Sequence, residues 1–269
     1  MMNIFRTALS TDRVTTAYPH KSGQPPPAFR GRPIYREGAC DCKGECMAAC
    51  PTGVITVHKT WGATSWELDM AGCVFCGLCE TACPGKAISF SADFELAARR
   101  REDLVVRANT GIDSSPLRSK SLYDPEALGQ QFSKLARRLL RRSLHVRHMD
   151  AGSDNSTDWE LNTLLNPVYD IQRLGIDIVA SPRHADLLFV TGAVTRNLAL
   201  ALQRTYEAMP APRLVIAAGS EACGGGVLRG SYAIAGGVDQ CLPVDVYIPG
   251  DPPRPEAIIF GLLMAMDRL

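Results

Sequence analysis

Aromatic residues make up only 7% of this 269-residue chain, and 29 Lys and Arg against 28 Asp and Glu leave a formal net charge of +1. Such a balance lacks the electrostatic footprint of a nucleic-acid binder or of a partner for a strongly anionic surface. No apolar run approaches the roughly 20 residues that cross a bilayer. The longest, Ala257 to Met266, falls well short. Met1 to His20 mix Arg6, Asp12 and Arg13 with Ser and Thr and lack the apolar core of a signal peptide. The expected compartment is therefore the cytoplasm, where thiols stay reduced and structural disulfides are disfavoured. Gly224-Gly225-Gly226 lacks the Gly-x-Gly-x-x-Gly spacing of a dinucleotide loop, and no flavin or nicotinamide site is evident.

What the chain does have is cysteine in a telling pattern. Cys73, Cys76 and Cys79 stand three apart, and Cys83 follows four residues later with Pro84 behind it. That spacing wraps three thiolates around one iron-sulfur cube and sends the fourth to a second cluster. A second set exists at Cys40, Cys42, Cys46 and Cys50-Pro51. Crossing the fourth ligands gives one 4Fe-4S cluster on Cys73, Cys76, Cys79 and Cys50, and another on Cys46, Cys83 and the pair Cys40 and Cys42. In the upstream set the middle cysteine is displaced by one place, so Lys43 occupies the expected ligand position. Either the loop at Gly44 accommodates the shift, or that cluster is a three-iron form or is lost. Zinc is disfavoured, because four-cysteine zinc comes from two separated Cys-x-x-Cys knuckles. No strand-then-helix context supports a thioredoxin-like pair at Cys76 and Cys79.

Four regions follow from composition. Residues 1–33, with Pro25-Pro26-Pro27, read as an extended arm, either a free tail or one ordered by lying on a partner. Residues 34–94 form an α+β ferredoxin-like two-cluster module, with a hairpin around Gly62 and a repeat of Gly53-Val54-Ile55-Thr56 in Ala87-Ile88-Ser89-Phe90. Residues 95–142 read as a basic helical connector, with helices at 94–104 and 125–142. From 95 to 148 there are twelve Lys and Arg against six Asp and Glu. The default meaning of such a surplus is a solvated face, and the sharper one is docking on an acidic subunit or on lipid headgroups. Residues 143–269 alternate short apolar runs, at 144–146, 176–179, 187–190, 214–218 and 244–248, with helical spacing at Leu198, Leu202, Tyr206 and Met209. This is an α/β, flavodoxin-like pattern with a mainly parallel sheet, closed by a helix from Pro255.

The C-terminal half resembles the small, cluster-carrying subunit shared by energy-converting nickel-iron hydrogenases, formate hydrogenlyase and respiratory complex I, where it is the B-type subunit. The resemblance is carried by Asp150-Ala151-Gly152-Ser153, Asn166-Pro167-Val168-Tyr169-Asp170, the segment 175–186, Val190-Thr191-Gly192 and the segment 249–256. The N-terminal half resembles the dicluster ferredoxin subunit of the same complexes, through residues 15–19, 29–33 and the cysteine sets. The chain thus looks like a fusion of two neighbouring subunits. The resemblance implies an iron-sulfur electron-transfer subunit that is not catalytic alone. It would sit peripherally on the cytoplasmic face of the inner membrane, with a large catalytic-like subunit and membrane subunits as partners. A structural or assembly subunit that docks through the C-terminal domain is the alternative. The resemblance also implies a third cluster with four cysteine ligands in the C-terminal domain. The corresponding positions here read Asp154, Thr157, Cys223 and Asp251, so that cluster is expected to be lost. Cys241 lies outside the implied set and reads as a small buried residue. Asp158 and Glu160 stand where the resemblance places carboxylates after the early cysteines; the default reading is an exposed helix start, and the alternative is a proton-carrying role.

Overall fold

The structure is a computed structural model, and it describes residues 14–21, 23–36, 39–40, 43–60, 63–109, 143–211 and 213–266. The elements run β1 (Pro33–Tyr35), α1 (Glu45–Ala49), β2 (Ile55–Thr60), β3 (Ala63–Asp69), α2 (Leu78–Ala82), β4 (Ile88–Phe90) and β5 (Val105–Asn109). There follow β6 (Leu144–Asp150), α3 (Ser156–Thr163), β7 (Ile176–Ile178), β8 (Leu187–Thr191), β9 (Val194–Thr195), α4 (Arg196–Glu207) and β10 (Leu214–Ala218). The chain closes with α5 (Ser220–Gly224), β11 (Ile234–Gly236), β12 (Val246–Ile248) and α6 (Pro255–Met266).

The second half is built on one five-stranded sheet in the order β12-β10-β8-β6-β7, every pairing parallel. Alternate residues of its strands feed two separate cores. Leu187, Phe189, Leu214, Ile216, Val246 and Ile248 face α6, while Leu188, Val190, Val215, Ala217 and Tyr247 face the other way. Helix α6 is buried along its whole length. That accounts for its apolar sequence without a membrane, since a helix that is hydrophobic all round belongs inside a protein. It lies so close to the sheet that a Cβ on Gly261 would come within 2.3 Å of Ile248.

The first half packs β1 against β4 and forms an antiparallel sheet β2-β3-β5. Its apolar side is continuous with the second core, so Trp66, Leu68, Met70 and Cys73 share one cluster with Leu188, Val190 and Cys223. The hairpin expected around Gly62 is present as β2 and β3. The helix expected at 94–104 is not. Ala98 instead exchanges backbone hydrogen bonds with Tyr247 on the edge strand β12, at 2.9 and 2.8 Å, and a 3-10 turn at Arg101–Leu104 leads into β5. Strand β5 pairs with β3, so residues that read as connector complete the ferredoxin-like sheet. A sheet edge left unpaired favours a strand over the local preference of an Ala-rich stretch for helix. The helix expected at 125–142 lies outside the described residues. Of the arm, residues 14–21 lie on the C-terminal half: Thr16 N–H donates to Val168 O at 2.8 Å and Arg173 to Tyr18 O at 2.8 Å.

Candidate metal centre

The two cysteine sets are built alike. Helices α1 and α2 each begin after a glycine in the left-handed region, Gly44 at φ 85° and Gly77 at φ 78°, a turn that side chains with a Cβ resist. Each helix is five residues long and gives way to an extended cysteine, Cys50 or Cys83. The tight turn buries Cys46 and Cys79 at matching places in the two helices.

Cys50, Cys73, Cys76 and Cys79 line a single pocket whose walls include Val54, Ile55, Leu68 and Phe90. Cys50 comes from the other motif. Burial, followed by the neighbouring Cys79, Cys50 and Cys76, pushes the Cys73 thiol up to about 12. Burial likewise pushes Cys79 up to about 11. Thiols in such a place keep their protons until a metal displaces them. The Phe75 N–H donates to Cys73 Sγ at 3.4 Å.

A second group surrounds Cys46. Burial raises its thiol, and Cys40 and Cys83 raise it further. The Ala87 N–H donates to Cys83 Sγ at 3.3 Å. Cys42 lies outside the described residues, so three of the four expected ligands are placed. Among the described residues no group of three or more His, Cys, Asp or Glu side chains could hold a metal ion.

The C-terminal positions behave differently. Asp154 Oδ1 accepts from Ser156 N–H at 2.8 Å and from its hydroxyl at 2.6 Å. Thr157 is buried, with its Oγ1 against Gly219, where a Cβ would approach within 2.6 Å. Asp251 accepts from Ser220 Oγ at 3.0 Å. Cys223 does not join them. Its thiol is fully buried, donates to Ala217 O at 3.2 Å, and is pushed up to about 12 by burial. The residue that does face Asp154 and Asp251 is Glu221. Its Oε2 accepts from Asp154 N–H at 3.4 Å. Burial first, then the charges of Asp154, Asp251 and Asp150, push its carboxyl up to about 7. Burial and Asp154 also raise Asp251, against the Ser220 hydrogen bond.

Sequence reasoning missed Glu221. The available signal was its place in the first turn after β10, immediately beyond the Gly219-Ser220 bend. Asp158, read as an exposed helix start, is buried at 8% exposure; it accepts from Thr191 Oγ1 at 2.6 Å and from Ser153 Oγ, and it pairs with His148 Nε2 at 2.8 Å. Side chains of β6 and β8 close over the start of α3 there, which the local sequence does not reveal. Burial lowers His148 even beside that carboxylate. Cys241 is half-buried.

Comparison with known proteins agrees with both halves. Residues 39–87 match the 4Fe-4S dicluster domain family, and residues 155–265 match the family described as NADH ubiquinone oxidoreductase, 20 Kd subunit. A probable membrane-bound hydrogenase subunit of Pyrococcus furiosus is 43% identical over 132 residues, covering 49% of this chain and 79% of that protein. Formate hydrogenlyase subunit 7 of Escherichia coli is 42% identical over 130 residues, covering 48% of this chain and 51% of that protein. An NADH-quinone oxidoreductase subunit of Citrifermentans bemidjiense is 48% identical over 101 residues, covering 38% of this chain and 59% of the relative. The matched region thus spans little more than half the length of the last two. With the five parallel strands and the paired cysteine motifs already in place, the chain belongs to the NADH ubiquinone oxidoreductase 20 Kd subunit family and carries a 4Fe-4S dicluster domain ahead of that fold.

Proposed function

We propose that this protein is an electron-transfer subunit of a membrane-associated assembly related to complex I and the energy-converting hydrogenases. It would hold two 4Fe-4S clusters and no third. The observation that carries this reading is the pocket in which Cys50 joins Cys73, Cys76 and Cys79 across the two motifs. A 4Fe-4S cluster, when bound, supplies one-electron chemistry at a potential set by its surroundings. The chain's own part is to give up thiol protons, fix the sulfurs, and exclude water with Val54, Ile55, Leu68 and Phe90. Cys46, Cys83, Cys40 and Cys42 would hold the other cluster.

At the family's third position the chain presents carboxylates and a hydroxyl. Asp154, Glu221, Asp251 and Thr157 are hard oxygen donors, a poor match for iron-sulfur chemistry, and Cys223 turns its thiol away. The C-terminal domain then serves as the surface that docks a large subunit, and membrane attachment comes through partners. Among the described residues no helix is long and apolar enough to cross a membrane. Iron and acid-labile sulfide per chain, with electron paramagnetic resonance of the reduced protein, test the proposal. About eight irons and two interacting signals support it. About twelve would restore a third cluster, and about four would remove the one on Cys46.

A further inference from the structure

A cleft of about 210 Å³ opens where four parts of the chain meet: the arm at Phe29 and Arg30, the cysteine loop at Phe75, the segment at Phe94, and the loop that ends in Asp251 and Arg254. No cysteine lines it. Three of the chain's eight phenylalanines do, in a protein otherwise poor in aromatic residues. Phe75 holds a left-handed backbone, at φ 50°, that a bulky side chain rarely adopts. Its N–H serves Cys73 Sγ, a task that glycine would perform without strain, so the ring is what the chain keeps there.

The wall is also positively charged. The Arg254 guanidinium stands 5.3 Å from the centroid of the Phe29 ring and 5.4 Å from that of Phe94. Glu256 accepts from its Nε at 3.3 Å and from its Nη2 at 3.1 Å, whereas Nη1 is buried and has no hydrogen-bond partner. Arg30 is exposed and lays its Nε over Gly77, 2.6 Å from where a Cβ would stand. Asp251 is the only carboxylate lining the cleft among the described residues, and it is engaged by Ser220 Oγ at 3.0 Å.

We propose that this cleft binds a small aromatic acid, one or two fused rings bearing a carboxylate, with the rings among Phe29, Phe75 and Phe94 and the carboxylate on Arg254. A dry apolar cavity of about 150 Å³ takes one benzene ring, and drug-sized ligands need about 300 Å³ or more, so the volume sets the size. Offset and edge contacts with three phenyl rings favour a flat ligand over an aliphatic one. The carboxylate supplies the acceptor that Nη1 lacks, in a charge-assisted bond that a neutral group would not match. Phe29, half-buried on the arm, is the ring that shifts to let the carboxylate reach it. A ligand so held lies between the loop of Cys73 and Asp251, at the junction of the two halves.

The test uses the full chain, anaerobically purified, titrated by calorimetry with naphthalene-2-carboxylate. One site per chain is expected, and naphthalene-2-carboxamide, the same shape without the charge, should bind about tenfold more weakly. Glu256→Gln removes the carboxylate that competes for Arg254 and should tighten binding of the acid about threefold while leaving the amide unchanged. Arg254→Gln combined with Glu256→Gln, which leaves no buried charge unmatched, should bring the acid down to the affinity of the amide. A second measurement needs no variant. In parent protein with methyl-labelled alanine, the resonances of Ala28 and Ala257, which line the cleft, should shift on titration while those of the buried Ala193 and Ala217 stay in place. No binding at millimolar probe, equal affinities for acid and amide, no gain in Glu256→Gln, or shifts at Ala193 and Ala217 in place of Ala28 and Ala257 would overturn the proposal. The probe is read whatever the iron count, so its failure leaves the cluster assignment standing.

Discussion

Replacing Glu221 with Gln removes a charge that the fold holds at a cost, and the size of the effect can be worked from the site. The carboxyl sits at about 7 in the folded protein against an ordinary 4.5, raised by burial first and by Asp154 next. A folded value above the unfolded one means that the native state binds more protons between those two pH values. The contribution to stability is therefore full below about 4.5 and is lost as pH rises through about 7. Unscreened, a rise from 4.5 to about 7 corresponds to about 3.4 kcal/mol. Glu221 is only half-buried, so solvent reduces this to about 1 kcal/mol. The expected result is that Glu221→Gln gains on the parent as pH rises from 5 to 8. The melting-temperature difference should widen by roughly 2–4 °C over that range, followed by circular dichroism. Asp251 is present in both proteins, and its own titration largely cancels. A difference that stays constant with pH would show that Glu221 ionises as an ordinary surface carboxyl, and the proximity argument would fail.

Cys50→Ser should remove about four irons per chain and the signal of the Cys73 cluster, which iron assay and resonance would show together. Cys223→Ser should leave iron and sulfide unchanged; a loss of iron would place that thiol on a cluster. Arg101→Ala should destabilise the chain by about 2 kcal/mol in denaturant unfolding. It removes both 2.6 Å hydrogen bonds to Asp69, whose carboxylate also caps the turn leading to Cys73 through Ala71 N–H. Stripping the clusters with a chelator should open residues 34–94 to proteolysis while the parallel sheet resists, because the small module leans on its metal.

The paired cysteine motifs were legible in the sequence because they depend on local spacing: Gly44 and Gly77 turn the chain the same way wherever the motif stands. The parallel sheet was legible for a related reason, since strands covered on both faces read as short continuous apolar runs. Residues 98–109 were not, because an Ala- and Arg-rich stretch carries a helical preference and only the open edge at Tyr247 overrides it. Glu221 was hidden by a question of register. Two places separate it from Cys223, and on a helical turn that difference exchanges the cleft for the core.

The path of residues 94–109 also has a mechanical meaning. The segment leaves the first module, packs Phe94 and Ala97 against α6, bonds Ala98 to β12, and returns to finish the sheet beside Trp66. Residues 14–21 grip the second module through Val168 and Arg173. The cysteine module is thereby sewn on at two places, like a pocket stitched along two sides. A cut of the chain after residue 94 would rip a seam, whereas a cut between Asn109 and Ser143 would leave each sheet with all of its strands.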